Sequence, residues 1–285
     1  MRAARAGAGP RASHASDKEN VCFRGARVMD SSPNPTVPLA DLIPDLGPWL
    51  DRDDPAAAQY RAPCIGCGAR RLCQGAMLGC STPSLRDFHV GARKVRAGEA
   101  IYRAGDVFRN LYIPRAGACK SVRLHRDGRQ QITGFSLGGE CLGMDGIASG
   151  RHEIDAIALE DMVVCVLPYH EIETVADEVS DVRRGLERIL SKEIVRVSSL
   201  LMLMGHLSAE ERIAAFLCDL AERYAARGYT TLSFTLPMSR EEIGSHLGMK
   251  LETVSRMLSR LQQRGLIELH GKDVRVLDLA ALKQV

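Results

Sequence analysis

The chain has 285 residues, a formal net charge of +3, 45% hydrophobic residues and nine cysteines. This length allows two compact domains with separate cores, so neither domain needs a metal ion in order to fold. No run of about 18 apolar residues occurs, and residues 1–16 lack the apolar segment of a secretory signal, which predicts a cytoplasmic protein. In a reducing compartment, the cysteines indicate metal binding, redox chemistry or simple burial rather than disulfides.

Residues 1–60 are rich in Ala, Gly, Pro, Ser and Asp and show little periodicity, so we expect a disordered extension there. A cysteine-rich loop follows over residues 61–83. In this loop Cys64, Cys67 and Cys73 have the spacing C-x2-C-x5-C. Thiolates suit iron–sulfur clusters or zinc, and thiolates on one short loop can converge on one site. The spacing by itself leaves a cluster, a zinc site and free thiols open.

Residues 84–180 change to short β-prone runs separated by glycines. The runs cover residues 100–102, 111–113, 120–124, 131–135 and 162–166. Glycine punctuation between short strands is typical of a compact antiparallel barrel or jelly roll. The pattern therefore predicts a β-sheet domain in this part of the chain.

A long helix is predicted over residues 181–207. Its apolar residues recur at alternating steps of four and three, which places them on one coiled-coil-like stripe: Leu190, Ile194, Val197, Leu201 and Met204. Such a stripe can pack inside its own subunit or against the same helix of a second subunit. Because the stripe is long and continuous, we favour dimerisation and expect a homodimer.

Residues 208–285 form the last predicted domain, which begins at a capping box. A second capping box, Ser239 with Glu242, begins a helix that Gly248 ends, and another helix follows within a few residues. Residues 266–277 then have the pattern of a β-hairpin. A helix, a glycine turn, a second helix and a β-hairpin together predict a winged helix-turn-helix that binds double-stranded DNA.

The second helix of this unit carries Glu252, Ser255 and Arg256 on a polar face suited to reading base edges. Arg donates hydrogen bonds to guanine, Glu accepts from the cytosine amino group, and Ser reaches a neighbouring base. Glu252 and Arg256 also have the i, i+4 spacing of a surface ion pair, but their place at the start of the helix favours DNA reading. Three further cations are expected to contact phosphates: Lys250, Lys272 and Arg275.

The sequence resembles the CRP/FNR superfamily of bacterial regulators from residue 64 to residue 276. The resemblance rests on Ala-Gly-Asp at 104–106, Gln-Ile-Thr-Gly-Phe at 131–135, Gly-Glu-Cys-Leu-Gly at 139–143 and Ala-Glu-Glu-Arg-Ile-Ala-Ala-Phe at 209–216. It implies an α+β fold with an N-terminal β-roll (jelly-roll) sensor domain, a long dimerisation helix and a C-terminal winged helix-turn-helix. It also implies a transcription activator that works with RNA polymerase and is not an enzyme.

Two sites favour the FNR branch, the oxygen-responsive regulators of fumarate and nitrate respiration. The reading helix has Leu251 before Glu-Thr-Val-Ser-Arg at 252–256, whereas cyclic-AMP receptors carry Arg before the Glu and Gly in place of the Ser. Residues 150–158 lack the Arg-Ser pair that holds a cyclic phosphate and offer Asp155 instead. Because a carboxylate repels a phosphate, we expect no cyclic-nucleotide binding.

In FNR proteins the C-x2-C-x5-C loop supplies three thiolates of an oxygen-sensing 4Fe-4S cluster, so the resemblance assigns Cys64, Cys67 and Cys73 to that role. Cys165, just before the long helix, stands where FNR proteins place the fourth ligand, and Cys80 is its rival by proximity. The resemblance further implies that the cluster controls dimerisation and operator binding, with half-sites like TTGAT. The remaining cysteines are not expected to be ligands: Cys22, Cys119, Cys141 and Cys218.

Two other functions stay open at this stage. A zinc- or small-molecule-responsive regulator of the same superfamily would lack the iron–sulfur cluster. An iron–sulfur enzyme or electron carrier would use the same thiolates, but no catalytic His, Asp and Ser set or phosphate-binding glycine loop is evident. Gly68 departs from the FNR pattern, in which a hydroxyl residue commonly follows the second ligand, and this bears on cluster lifetime in air.

Overall fold

The structure is a computed structural model that describes residues 73–78, 90–228 and 232–285. The extension expected to be disordered lies outside these residues, as do Cys22, Cys64, Cys67 and Cys80. Of the cysteine-rich loop, the structure describes Cys73 and the short helix that follows it, α1 (Gln74–Met77), which ends at Leu78.

Antiparallel strands form the β-roll in two sheets, one with the order β1-β7-β3 and the other with the order β2-β6-β4-β5. Side chains from both sheets, including Val95, Ile101 and Val164, join one buried apolar cluster. Each of the five predicted runs falls within one strand, whereas β1 and β6 were not predicted. The strands are β1 (Gly91–Val95), β2 (Ala100–Tyr102), β3 (Asn110–Pro114), β4 (Ala118–Leu124), β5 (Gln130–Leu137), β6 (Asp155–Ala158) and β7 (Met162–Pro168).

Two helices follow the β-roll, α2 (Tyr169–Glu178) and α3 (Ser180–His206). The chain is extended at Val179, between them. In the first half of α3, Val182 and Ile189 are buried in an apolar cluster with residues of α2 and β7. The first half of the long helix therefore packs onto the β-roll of its own subunit.

The C-terminal domain has the order of elements that the sequence predicts for a winged helix-turn-helix. Both capping boxes are present, and Gly248 ends α5 with a left-handed φ of 66°, a conformation that favours glycine. The wing is a sheet with the order β8-β10-β9. The elements are α4 (Ala209–Ala225), β8 (Ser233–Thr235), α5 (Arg240–Leu247), α6 (Leu251–Gln263), β9 (Ile267–His270), β10 (Asp273–Val276) and α7 (Leu279–Leu282).

The β-roll and the C-terminal domain share one apolar core. Phe135 and Leu137 of β5 belong to the same buried cluster as Phe216 of α4 and Leu247 of α5. The predicted α+β architecture of β-roll, long helix and winged helix-turn-helix is confirmed. Within the described ranges, no helix is both long and apolar enough to cross a membrane.

Candidate DNA-binding surface and cysteine site

The helix α6 separates its apolar and polar faces as a recognition helix requires. Val254, Leu258 and Leu261 are at most 2% exposed and face the domain core. Glu252 and Arg256 are exposed on the other side. The preceding helix α5 approaches closely because Gly244 has no side chain, since a Cβ there would lie 2.5 Å from the Met249 carbonyl oxygen. This arrangement presents a polar helix face that can enter the major groove of DNA.

Ser255 and Arg256 each have a neighbour that orients them. Arg240, the first residue of α5, donates from Nη1 to the Ser255 hydroxyl oxygen over 3.2 Å. Arg256 donates from Nη2 to Thr253 Oγ1 over 3.5 Å, and among the described residues no ion pair joins it to Glu252. The sequence did not indicate a role for Arg240, although an exposed Arg in the first turn of the first helix was a usable signal.

The three cations predicted to contact phosphates differ in whether they already form hydrogen bonds or ion pairs within the protein. Lys250 is exposed directly before α6, whereas Lys272 donates to the Pro237 carbonyl over 3.4 Å. Burial raises the pKa of the Glu160 carboxyl, and a backbone hydrogen bond from Ala118 and the nearby charge of Lys272 oppose that rise. Arg275 pairs with Glu268 over 3.5 Å. Lys250 is therefore the most available of these cations.

Two further cations of the basic C-terminal region form ion pairs with the first turn of α4. Arg260 Nε lies 3.0 Å from one carboxylate oxygen of Glu210, and Arg264 Nη1 lies 2.5 Å from the other. Both contacts tie α6 to the start of α4. These two residues therefore hold the domain together rather than extend its reading face.

The structure brings Cys73 and Cys165 into one apolar cluster, together with Ile172, Val182 and Ile189 of the two following helices. Cys165 lies in β7, the central strand of its sheet, and is 8% exposed. Its sulfur accepts a hydrogen bond from Arg115 Nε over 3.3 Å. Cys73 immediately precedes α1 and is partly exposed. The two described members of the predicted ligand set thus lie on the same side of the β-roll, against the long helix.

Three other cysteines are buried and were not expected to be ligands. Burial raises the pKa of the Cys119 thiol to about 12, and Cys218 is fully buried within α4. Burial, followed by the neighbouring Cys73, raises the pKa of the Cys141 thiol to about 12. Cys141 belongs to the same apolar cluster as Cys73 and Cys165. It is therefore an alternative candidate for the fourth ligand, which the sequence did not indicate.

No group of three or more His, Cys, Asp or Glu that could hold a metal ion occurs in residues 73–78, 90–228 and 232–285. A four-thiolate site would need Cys64 and Cys67, which are outside those ranges. The described pair therefore represents half of the predicted ligand set.

The second half of α3 carries the apolar stripe predicted for dimerisation. Ile194, Val197 and Leu201 are 67%, 48% and 67% exposed, and Leu190 and Met204 are partly exposed. Val195 and Met202, which the spacing did not single out, are exposed beside them. Exposure of so many apolar side chains on one helix is typical of an interaction surface.

A β-roll, a helix with an exposed apolar stripe and a winged helix-turn-helix together define a DNA-binding transcription regulator. The family of Crp-like helix-turn-helix domains matches residues 211–285, and that of cyclic nucleotide-binding domains matches residues 92–178. The transcriptional activator protein FnrA of Stutzerimonas stutzeri is 38% identical over 79% of this chain and 93% of that protein. The fumarate and nitrate reduction regulatory protein of Escherichia coli is 34% identical over 78% of this chain and 89% of that protein. The chain belongs to the CRP/FNR family and is of the FNR type.

Among solved structures, that of FixK2 from Bradyrhizobium japonicum has a TM-score of 0.63 and 31% sequence identity, over 68% of this chain and 96% of that chain. Helix-turn-helix regulators of this family bind DNA and act as dimers. The chain is accordingly a transcription regulator and not an enzyme.

Proposed function

We propose that this regulator responds to oxygen through a 4Fe-4S cluster held by Cys64, Cys67, Cys73 and Cys165. The observation that carries the proposal is the meeting of Cys73 and Cys165, distant in sequence, in one apolar cluster against the long helix. The names of the FNR relatives are consistent with it. When bound, such a cluster supplies a redox centre that reacts with oxygen.

The surroundings of the two described thiols fit a thiolate-bound cluster. Cys165 receives a hydrogen bond from the Arg115 guanidinium, a cationic donor that suits a thiolate sulfur. Cys165 is buried among apolar side chains such as Leu111 and Ile172, which limit the access of water to its sulfur, and Cys73 packs against the same cluster. Cys73 precedes a helix of only one turn, so its sulfur is held by a short segment that can adjust to a ligand.

We propose that the same side chains connect the cysteine site to dimerisation. Val182 and Ile189 of α3 share their cluster with Cys73 and Cys165. A change in the ligation of the two sulfurs therefore changes the packing of the first half of α3. The second half of that helix carries the stripe that pairs with a second subunit, and the pairing places two reading helices on one DNA duplex.

The operator proposed for this dimer is a palindrome whose half-sites resemble TTGAT and are centred ~10 to 10.5 bp apart. In each half-site Arg256 reads the guanine and Glu252 accepts from the cytosine paired with it. Lys250, Lys272 and Arg275 contact phosphates, Lys272 after leaving its hydrogen bond with the Pro237 carbonyl. Contact with RNA polymerase belongs to the same proposal.

We further propose that the β-roll does not use a cyclic nucleotide. Asp155 Oδ1 accepts a hydrogen bond from the Ala104 amide over 2.8 Å, and its second oxygen lies 3.9 Å from the Arg103 guanidinium. The carboxylate thus takes the donors that an anionic ligand would need at this point of the β-roll. Isothermal titration with cyclic AMP and cyclic GMP tests this part, and saturable binding would contradict it.

The decisive experiment is purification of the full chain without oxygen, followed by iron and sulfide analysis and an absorption spectrum. We expect about four irons per subunit. Ala substitution of any of the four proposed ligands, Cys64, Cys67, Cys73 and Cys165, should abolish the cluster, whereas Cys80→Ala and Cys141→Ala should retain it. Loss of iron in either control variant, with retention in Cys165→Ala, would overturn the ligand assignment. Stoichiometric zinc instead of iron would favour the zinc-responsive alternative.

A further inference from the structure

Gly139–Glu140–Cys141, which begin two residues after the end of β5, bond both to the DNA-binding domain and to residues 73–78, which we call the cysteine segment. We refer to residues 139–141 as the linking tripeptide. Its first residue has a left-handed φ of 86°, and the Gly139 N–H donates to the Pro114 carbonyl over 2.7 Å. The Glu140 N–H donates to the Leu137 carbonyl over 3.1 Å. These bonds fix the tripeptide against the end of β3.

One side of the linking tripeptide binds Gln74, the residue next to Cys73. The Gln74 N–H donates to the Gly139 carbonyl over 2.7 Å, and the Gln74 side-chain oxygen accepts from the Cys141 N–H over 2.7 Å. Gln74 therefore bonds the residues immediately before and after Glu140. A movement of the cysteine segment acts on the tripeptide through two short hydrogen bonds.

The other side of the linking tripeptide binds the C-terminal domain through Glu140. One carboxylate oxygen lies 2.6 Å from Arg223 Nη2, and the other lies 2.6 Å from Arg227 Nη2. Arg223 also donates to the Phe135 carbonyl over 2.7 Å, and Arg227 to the Gly138 carbonyl over 2.7 Å. Arg223 lies in the last turn of α4, and Arg227 lies two residues after its end. The side chains of this ion network are 11 to 17% exposed.

Such a buried network is sensitive to small displacements. Its charges are largely removed from water, so each must keep its partner, and a mispaired buried charge is destabilising. Despite burial, the two guanidinium groups lower the pKa of the Glu140 carboxyl to about 2, so it is ionised at neutral pH. If Glu140 moves, Arg223 and Arg227 must therefore move with it to keep their ion pairs, and this displaces the end of α4.

We propose that the linking tripeptide connects the cysteine segment to the DNA-binding domain within one subunit, so that displacement of Gln74 changes the position of α4. This connection is separate from the pairing of the long helices. Only its trigger rests on the proposed function, because a change at Cys73 is what displaces Gln74. The physical connection itself exists whether or not a cluster is bound.

Three variants of the full chain test the proposal. Gln74→Leu removes the acceptor of the Cys141 N–H. Glu140→Asp keeps the charge but shortens the side chain that spans the two arginines. Lys120→Met is the matched control, because the Lys120–Glu242 ion pair, at 2.6 Å, joins the same two domains but has no bond to Gln74.

The first measurement is amide hydrogen exchange in cluster-free protein. We expect Gln74→Leu to accelerate exchange at residues 226–228, just after α4, although the hydrogen bonds recorded for Gln74 go to Gly139 and Cys141 and not to these residues. Lys120→Met should leave exchange at these residues unchanged. Unchanged exchange at 226–228 in Gln74→Leu would overturn the proposal.

The second measurement is the ratio of operator affinities with and without the cluster, with iron content and dimerisation measured in parallel. Both Gln74→Leu and Glu140→Asp should lower this ratio about fivefold or more, whereas Lys120→Met should leave it unchanged. If the Gln74→Leu variant loses its iron, its affinity ratio cannot be measured, and the ratio of the Glu140→Asp variant then tests the proposal. Iron-loaded variants whose ratio equals that of the wild type would overturn the proposal. If the wild-type protein purified without oxygen contained no iron, the proposed function would be refuted. Hydrogen exchange in the Gln74→Leu variant would still test whether Gln74 is connected to α4.

Discussion

Acidification should weaken the contact between the β-roll and the DNA-binding domain through one histidine. His246 of α5 lies between the two domains, with its ring centroid 5.1 Å from Phe135 and 6.0 Å from Phe216. Burial lowers its pKa from 6.5 to about 4, an effect that the charges of Arg196 and Arg223 reinforce. The hydrogen bond with the Ile132 carbonyl and the charge of Asp219 oppose this lowering. The folded protein therefore keeps this imidazole neutral.

Acidification destabilises the folded protein because His246 binds a proton more readily in the unfolded chain than in the folded chain. Below pH 6.5 the unfolded chain binds a proton at His246, while the folded chain does so only near pH 4. The stabilisation is fully present above pH 6.5 and is lost as the pH falls from there to about 4. Because one pKa unit corresponds to about 1.36 kcal/mol, acidification from pH 7 to pH 5 should lower the free energy of unfolding by about 2 kcal/mol.

Urea unfolding followed by circular dichroism measures this loss in cluster-free protein at a fixed concentration. His246→Gln keeps an N–H donor for the Ile132 carbonyl but does not titrate, so the difference between wild type and variant cancels the contributions of the other histidines. Glu140 contributes little between pH 7 and pH 5, because its stabilisation is lost only as the pH falls from its unfolded pKa of 4.5 toward about 2, and its contribution is common to wild type and variant. If wild type and variant lost the same free energy between pH 7 and pH 5, the assignment to His246 would be refuted.

Three further predictions concern dimerisation and DNA reading. Val197→Glu places like charges across the paired helices, so by sizing it should be a monomer that keeps its iron but not its operator affinity, whereas Ser198→Glu should remain dimeric. Arg256→Ala should cost ~1 to 3 kcal/mol of binding and relax preference at one G·C pair in a binding selection, whereas Lys250→Ala should weaken binding to all sequences and reduce its salt dependence. Arg240→Ala should relax preference at the base pair beside the neighbouring serine, because that hydroxyl loses its fixed donor.

Each of these predictions has a contradicting outcome. A dimeric Val197→Glu protein would show that the subunits pair through another surface. An Arg256→Ala variant that still prefers G·C at every position would show that another side chain reads the guanine. Uniformly weaker binding by Arg240→Ala, with base preferences intact, would indicate a phosphate contact instead.

The elements that the sequence predicted best are those with local signals. Ser239 with Glu242 and the glycine at 248 set the limits of α5 within its own ten residues, and the structure has the predicted ends. Strands bounded by glycines were found for the same reason. By contrast, the sequence does not indicate β1 and β6. Only Val95 of β1 is buried, and the buried positions of β6 are Ala156 and Ala158, a residue type that is depleted in strands.

The contacts between domains could not be predicted, because they join residues that are far apart in sequence. Nothing near Glu140 indicates that Arg223 and Arg227 will neutralise it, since they lie more than 80 positions away. The sequence places Cys141 far from Cys73, and only folding brings the two thiols close together. The ligand set itself depends on resemblance, since spacing alone does not distinguish iron–sulfur from zinc.

The long helix α3 and the DNA-binding domain both donate hydrogen bonds to one carbonyl group of the β-roll, that of Phe135. Arg196 of α3 donates to it over 2.9 Å, and Arg223 of α4 donates to it over 2.7 Å. Glycine at position 134 leaves room for this guanidinium, since a Cβ there would lie 2.9 Å from Arg196 Nη2. Arg196 stands between two exposed residues of the apolar stripe, Val195 and Val197. Any shift of α3 that pairing produces therefore moves a donor that shares its acceptor with α4, in an interior too densely packed to absorb the movement.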